Sequence, residues 1–92
     1  GRTYRFGGYV RTELQGGAVQ MLLAFVDRRG AFIHEVEKLP GCRQVKETQA
    51  WVYDSVEVTA PKEATAVDIR LLITGKGRVW FDNIEFYQVP WE

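Results

Sequence analysis

Alternation with a period of two runs through most of this chain and leaves little room for anything but β-structure. Tyr4, Phe6, Gly8, Val10 and Thr12 alternate with Arg5, Gly7, Tyr9 and Arg11. Successive side chains of a strand point to opposite faces, so this stretch reads as a strand with one apolar face. Val19, Met21, Leu23 and Phe25 form one face of a second strand, whose other face, Gln20, Leu22, Ala24 and Val26, is also mostly apolar. A strand apolar on both sides is expected to be central and covered on both sides. Further strands are expected over residues 31–36, 51–59, 67–74 and 79–89, the last ended by Pro90. In the strand from residue 51, Val52, Val56 and Val58 share a face; in the next, Val67, Ile69, Leu71 and Ile73 oppose Asp68, Arg70 and Thr74. No apolar stripe of helical period is longer than two turns, and Val, Ile, Thr and aromatic residues are frequent.

The segments between the strands carry turn chemistry. Gly16-Gly17, Asp27-Arg28-Arg29-Gly30, Ala60-Pro61-Lys62-Glu63 and Gly75-Lys76-Gly77 are turn signals. The polar segment 37–49, with Pro40-Gly41 and Cys42, reads as a surface loop. About six evenly spaced strands argue for an antiparallel β-sandwich or barrel. With 92 residues, the chain is sized for a single domain over residues 1–92. It opens on Gly1-Arg2-Thr3 without an initiator Met, so it is expected to be a piece of a longer protein.

Charge and cysteine content narrow the function classes. Twelve Lys and Arg balance twelve Asp and Glu, so the basic excess of a dedicated nucleic-acid binder is missing. The longest apolar run, residues 21–26, is far short of the about twenty residues a membrane-spanning helix needs. Cys42 is the only cysteine, so no internal disulfide is available, and no Cys/His cluster has zinc spacing. Nor does a catalytic group emerge. His34, the only histidine, has no nucleophile at recognisable spacing and reads as structural. Glu35 and Glu37 share a strand face about 7 Å apart, but any acidic pair at that spacing in a strand does so. Cys42, near Arg43 and Lys46, reads as incidental.

Three segments carry a family resemblance. The first is Gly1-Arg2-Thr3-Tyr4-Arg5-Phe6-Gly7-Gly8-Tyr9-Val10-Arg11-Thr12. The second opens on Trp51 and closes on Thr59-Ala60-Pro61. The third is Gly77-Arg78-Val79-Trp80-Phe81-Asp82-Asn83-Ile84-Glu85-Phe86. In this order they resemble the jelly-roll carbohydrate-binding modules of families 4, 9, 16 and 22, which have the galactose-binding-like fold. The resemblance covers the later part of such a module, and the family's opening strands are absent. It implies a jelly-roll sandwich without catalysis of its own, appended to a glycan-active enzyme such as a glycoside hydrolase. The implied partners are an oligosaccharide or polysaccharide and the parent enzyme's catalytic domain, and the implied location is extracellular or periplasmic, as a secreted protein. In these modules the residue matching Asp82 helps hold a structural calcium, with a Glu from the missing strands. The residue matching Trp51 is structural, so Trp51 is expected in core or rim packing.

Sugar modules stack aromatic rings on the apolar faces of pyranose rings and place polar groups against the hydroxyls. Arg5, Tyr9 and Arg11, with Gln20, Asp68 and Arg70, are expected to line a concave polar face. In it Tyr9 is the platform, Arg11 and Gln20 are hydrogen-bond donors, and Trp80 is a further stacking candidate. The competing reading of these residues is a solvated sheet face, and the apolar Leu22, Ala24 and Val26 suggest that something covers it. Trp91, beyond Pro90, is expected to pack on a neighbouring domain or to be disordered. The rival function is a structural sandwich that packs against a catalytic domain or another copy and binds no sugar. Missing strands leave edges that invite self-association.

Overall fold

The computed structural model describes residues 1–33 and 39–90. They form five strands: β1 (Thr3–Leu14), β2 (Ala18–Val26), β3 (Gln49–Thr59), β4 (Ala66–Thr74) and β5 (Gly77–Val89). There is no helix among the described residues. Every pairing is antiparallel, in a three-stranded sheet ordered β3-β1-β5 and a second sheet of β2 and β4. The all-β, two-sheet reading holds, with five strands where about six were expected. Of the strand expected over 31–36, the described part is one bridge between Phe32 and Val26. His34, Glu35, Glu37 and Trp91 lie outside the described residues.

The core sits between β1 and β2. Phe6 and Val10 of β1 meet Val19, Met21, Leu23 and Phe25 of β2, and all six are at most 4% exposed. Burying side chains of this size stabilises by about 1.5–3 kcal/mol each. Gly8 lies on the same inward face of β1, where a Cβ would stand 2.6 Å from Ile84 Cδ1, so the missing side chain lets Ile84 into the core. Thr12 is the buried polar residue of β1. Its Oγ1 donates to Glu47 O at 2.6 Å and accepts from Gln49 N at 3.0 Å, which satisfies the buried hydroxyl.

The polar segment before β3 is not the surface loop its composition suggests. Val45 N donates to Val19 O and Val19 N to Val45 O, while Cys42 N donates to Met21 O and Leu23 N to Pro40 O. This stretch therefore lines the edge of β2 that β4 leaves free, and β2 becomes central as its two apolar faces required. Gly41 lies so close to β2 that a Cβ there would collide with Met21 O. Cys42 and Val45, both 5% exposed, join the core, so Cys42 is a packing residue. Burial, with a smaller push from the Asp54 charge, raises its thiol from 9.0 to about 11.

Two bulges set which way the aromatic residues point. Along β5, Gly7 pairs with Glu85 and Tyr9 with Asp82, so Gly8 alone opposes Asn83 and Ile84. Asn83 takes a left-handed φ of 51°, a conformation that Asn tolerates better than most residues. The extra residue resets the alternation, so Val79 and Phe81 before it and Ile84 and Phe86 after it all pack on the core. Along β3, Val52 pairs with Val10 and Gln49 with Thr12, which leaves Arg11 opposite Ala50 and Trp51.

At β4 the layering is incomplete. Ile73, Leu71, Ile69 and Val67 pair with Val19, Met21, Leu23 and Phe25 and share their inward face. Yet Ile69, Leu71 and Ile73 are 40–52% exposed. On this side of the sandwich an apolar inward face reaches past whatever covers it.

Candidate functional site

Strand pairing gathers an aromatic cluster on the outward face of the three-stranded sheet. Tyr9, at the middle of β1, pairs with Tyr53 on β3 and with Asp82 on β5. The two tyrosine rings tilt against each other with centroids 5.1 Å apart. Two residues along β1, Arg11 pairs with Trp80 and faces Trp51 at the β3 bulge. The Arg11 guanidinium lies over the Trp80 ring, 4.6 Å from its centroid, and one nitrogen is 3.7 Å from Glu13 Oε1. Neighbouring strands are about 4.8 Å apart, so Trp51, Arg11 and Trp80 form a row across the sheet beside the row Tyr53, Tyr9, Asp82. Trp51, Tyr53 and Tyr9 are exposed at 45, 42 and 39%, and Trp80 is half-buried under Arg11. An open depression of about 360 Å³ lies at one end of this face, lined by Arg11, Glu13, Thr48, Gln49 and Trp51 among others.

Farther along the face the chemistry turns ionic. Arg5 donates to Glu57 Oε1 at 2.8 Å and to the Tyr87 hydroxyl at 3.5 Å. These partners, Glu57 foremost, raise its pKa further above the usual guanidinium value. An aromatic patch bordered in this way by charges and hydrogen-bonding groups suits a ligand with apolar faces and polar rims, held by stacking and lateral hydrogen bonds.

Of the residues expected to act together, the structure brings together Tyr9, Arg11 and Trp80. It does not bring Gln20, Asp68 or Arg70 to them. Gln20 lies on the outward side of β2, in the other sheet, where its amide nitrogen donates to Cys42 O at 2.9 Å. Asp68 and Arg70 lie on the outward side of β4, 4.0 Å apart, with the Arg70 guanidinium 4.7 Å from the centroid of the Phe32 ring. Strand parity assigns a residue to a face of its own strand but does not say which sheet that strand joins. The expected single polar face is therefore two faces on opposite sides of the molecule.

Trp51 is a correction, being one of the most exposed aromatic residues rather than a packing one. Tyr53, on the same face, is not among the residues expected at the site. Both were legible, since Val52, Val56 and Val58 face inward and the alternate positions 51 and 53 must then face outward.

Asp82 is exposed, and its Oδ1 accepts from Asn83 N at 2.9 Å, so it serves the bulge. Calcium takes six to eight oxygen ligands, and among the described residues no group of three or more His, Cys, Asp or Glu converges.

No protein-family model, curated protein or solved structure matches this chain.

Proposed function

We propose that this chain is a non-catalytic carbohydrate-binding-type module of jelly-roll, galactose-binding-like kind, appended to a glycan-active enzyme. The observation that carries the reading is the group of four aromatic side chains, Trp51, Tyr53, Tyr9 and Trp80, on one outward sheet face with Arg11 among them. Exposed aromatic rings offer stacking area to the apolar faces of sugar rings. Arg11 donates to hydroxyls, and Asp82 beside Tyr9 accepts from them. The face is broad and shallow, which fits a poly- or oligosaccharide lying across the strands. Affinity of this kind is modest, about 4–8 kcal/mol or millimolar to micromolar. Its use lies in raising the local concentration of the attached enzyme on its polymer. An extracellular or periplasmic location goes with that role.

A second reading has its own support. The uncovered inward face of β4 is what a structural module would pack against a catalytic domain or another copy. Glycan-array binding separates the two. The glycan reading expects retention of one polysaccharide class, lost in Tyr9→Ala and Trp51→Ala variants that keep the wild-type circular dichroism. Absence of binding from the folded protein across the array rejects it and leaves the structural reading.

A further inference from the structure

The outward aromatic face leaves the far side of the molecule unexplained. β4 pairs with β2 along one edge, and no described strand pairs with the other. It carries Ile69, Leu71 and Ile73 half-exposed on a face that in β2 is wholly buried. An unpaired edge of nine residues with apolar side chains is a template for another strand.

We propose that the free edge of β4 pairs with the β4 edge of a second copy of this chain, antiparallel and centred on Ile69. The argument rests on register. Two identical strands pair about a twofold axis, and keeping the apolar faces together allows only registers centred on a residue, because a half-step flips one strand's faces. Centred on Asp68, the pairing sets Asp68 against its own copy; centred on Arg70, it sets Arg70 against its own copy. Like charges directly opposite destabilise a sheet. Centred on Leu71, it sets Arg70 against Leu72 and Asp68 against Thr74, so neither charge finds a counter-ion. Centred on Ile69, each Asp68 faces the Arg70 of the other copy, twice over by symmetry. Ile69 then meets Ile69, and Val67 meets Leu71, on the inward face. The charges of β4 are self-complementary in that register alone among the four.

Within one copy the Asp68–Arg70 contact is loose, at 4.0 Å between exposed side chains, so both charges are available to a partner. Stacking on Phe32 holds the Arg70 guanidinium against the outward side of this sheet. The pairing makes one four-stranded sheet, β2-β4-β4-β2, and its axis stands perpendicular to that sheet. Both aromatic faces then point the same way. Any gain in avidity for a repeating glycan rests on the proposed function; the pairing itself does not.

Sedimentation equilibrium over a concentration series tests it without any sugar. The wild type is expected to show a monomer–dimer equilibrium. Arg70→Asp and Asp68→Arg each bring like charges together twice and are expected to weaken self-association about tenfold or more. An equimolar mixture of the two variants is expected to restore the dimer, because an all-acidic edge then meets an all-basic one. The double variant Asp68→Arg/Arg70→Asp, tested alone, should also recover it. A wild type that stays monomeric throughout overturns the proposal. So does either single variant associating as the wild type does, or a mixture no more dimeric than its components.

Discussion

Leu23 and Ile69 are cross-strand partners on the same inward face, yet one is fully buried and the other 44% exposed. On the three-stranded sheet the contrast is reversed: Phe6 and Val10 face a closed core, while Tyr9 and Trp51 are exposed on the side turned away from it. Exposure of an apolar side chain therefore means different things at the two places. Along β1, where the inward face is covered, the outward aromatic residues contribute nothing to the core, and the ligand proposed above would use them. Where inward aliphatic residues remain exposed, they lie on the strand whose other edge no described strand pairs, which is the edge proposed above to meet a second copy. A census of exposed apolar residues would merge these two surfaces; strand parity separates them.

The comparison can be broken most sharply by truncating both members of one pair. Leu23→Ala is expected to cost about 2–5 kcal/mol in urea unfolding, and Ile69→Ala about 1 kcal/mol or less in the monomer. Similar losses at both sites would show β4 to be covered. Next in size is Thr12→Val, which leaves Glu47 O and Gln49 N–H without their partner and is expected to cost about 1–3 kcal/mol. A neutral result would mean that water reaches this end of the core.

The dryness of that core is also readable at Cys42. Its raised thiol pKa makes the folded state hold its proton where the unfolded chain has lost it. The contribution to stability is complete below pH 9 and is lost as pH rises from 9.0 towards about 11. At pH 8 the folded thiol is expected to be alkylated more slowly than in the unfolded chain, because burial holds it protonated and out of reach. Rapid labelling under native conditions would place Cys42 at the surface. Smallest of all should be the stability effect of Trp51→Ala and Tyr9→Ala, about 1 kcal/mol or less each. A large loss at either would make it a packing residue and remove it from the binding face.

How much of this was legible depends on how local the signal is. The faces of β1 and β2 follow from alternation alone, because neighbouring positions suffice to define them. The β5 bulge was within reach too: Val79, Phe81, Ile84 and Phe86 break the period of two by one residue at an Asn. The role of segment 39–45 was not, since its backbone pairs with β2 some twenty residues earlier and its polar composition conceals Cys42 and Val45. Gln20 was grouped with Tyr9 for a related reason: sheet membership is decided by non-local pairing. Trp51 is a different case: the resemblance implied packing, while the shared face of Val52, Val56 and Val58 leaves position 51 on the opposite one.

The most direct test of the binding face is NMR chemical-shift mapping of the labelled chain against a panel of soluble oligosaccharides. Saturable shifts clustered on Tyr9, Arg11, Trp51, Tyr53 and Trp80, with β4 unmoved, are the predicted result. Shifts confined to β4, or none across the panel, would contradict a glycan platform on the three-stranded sheet.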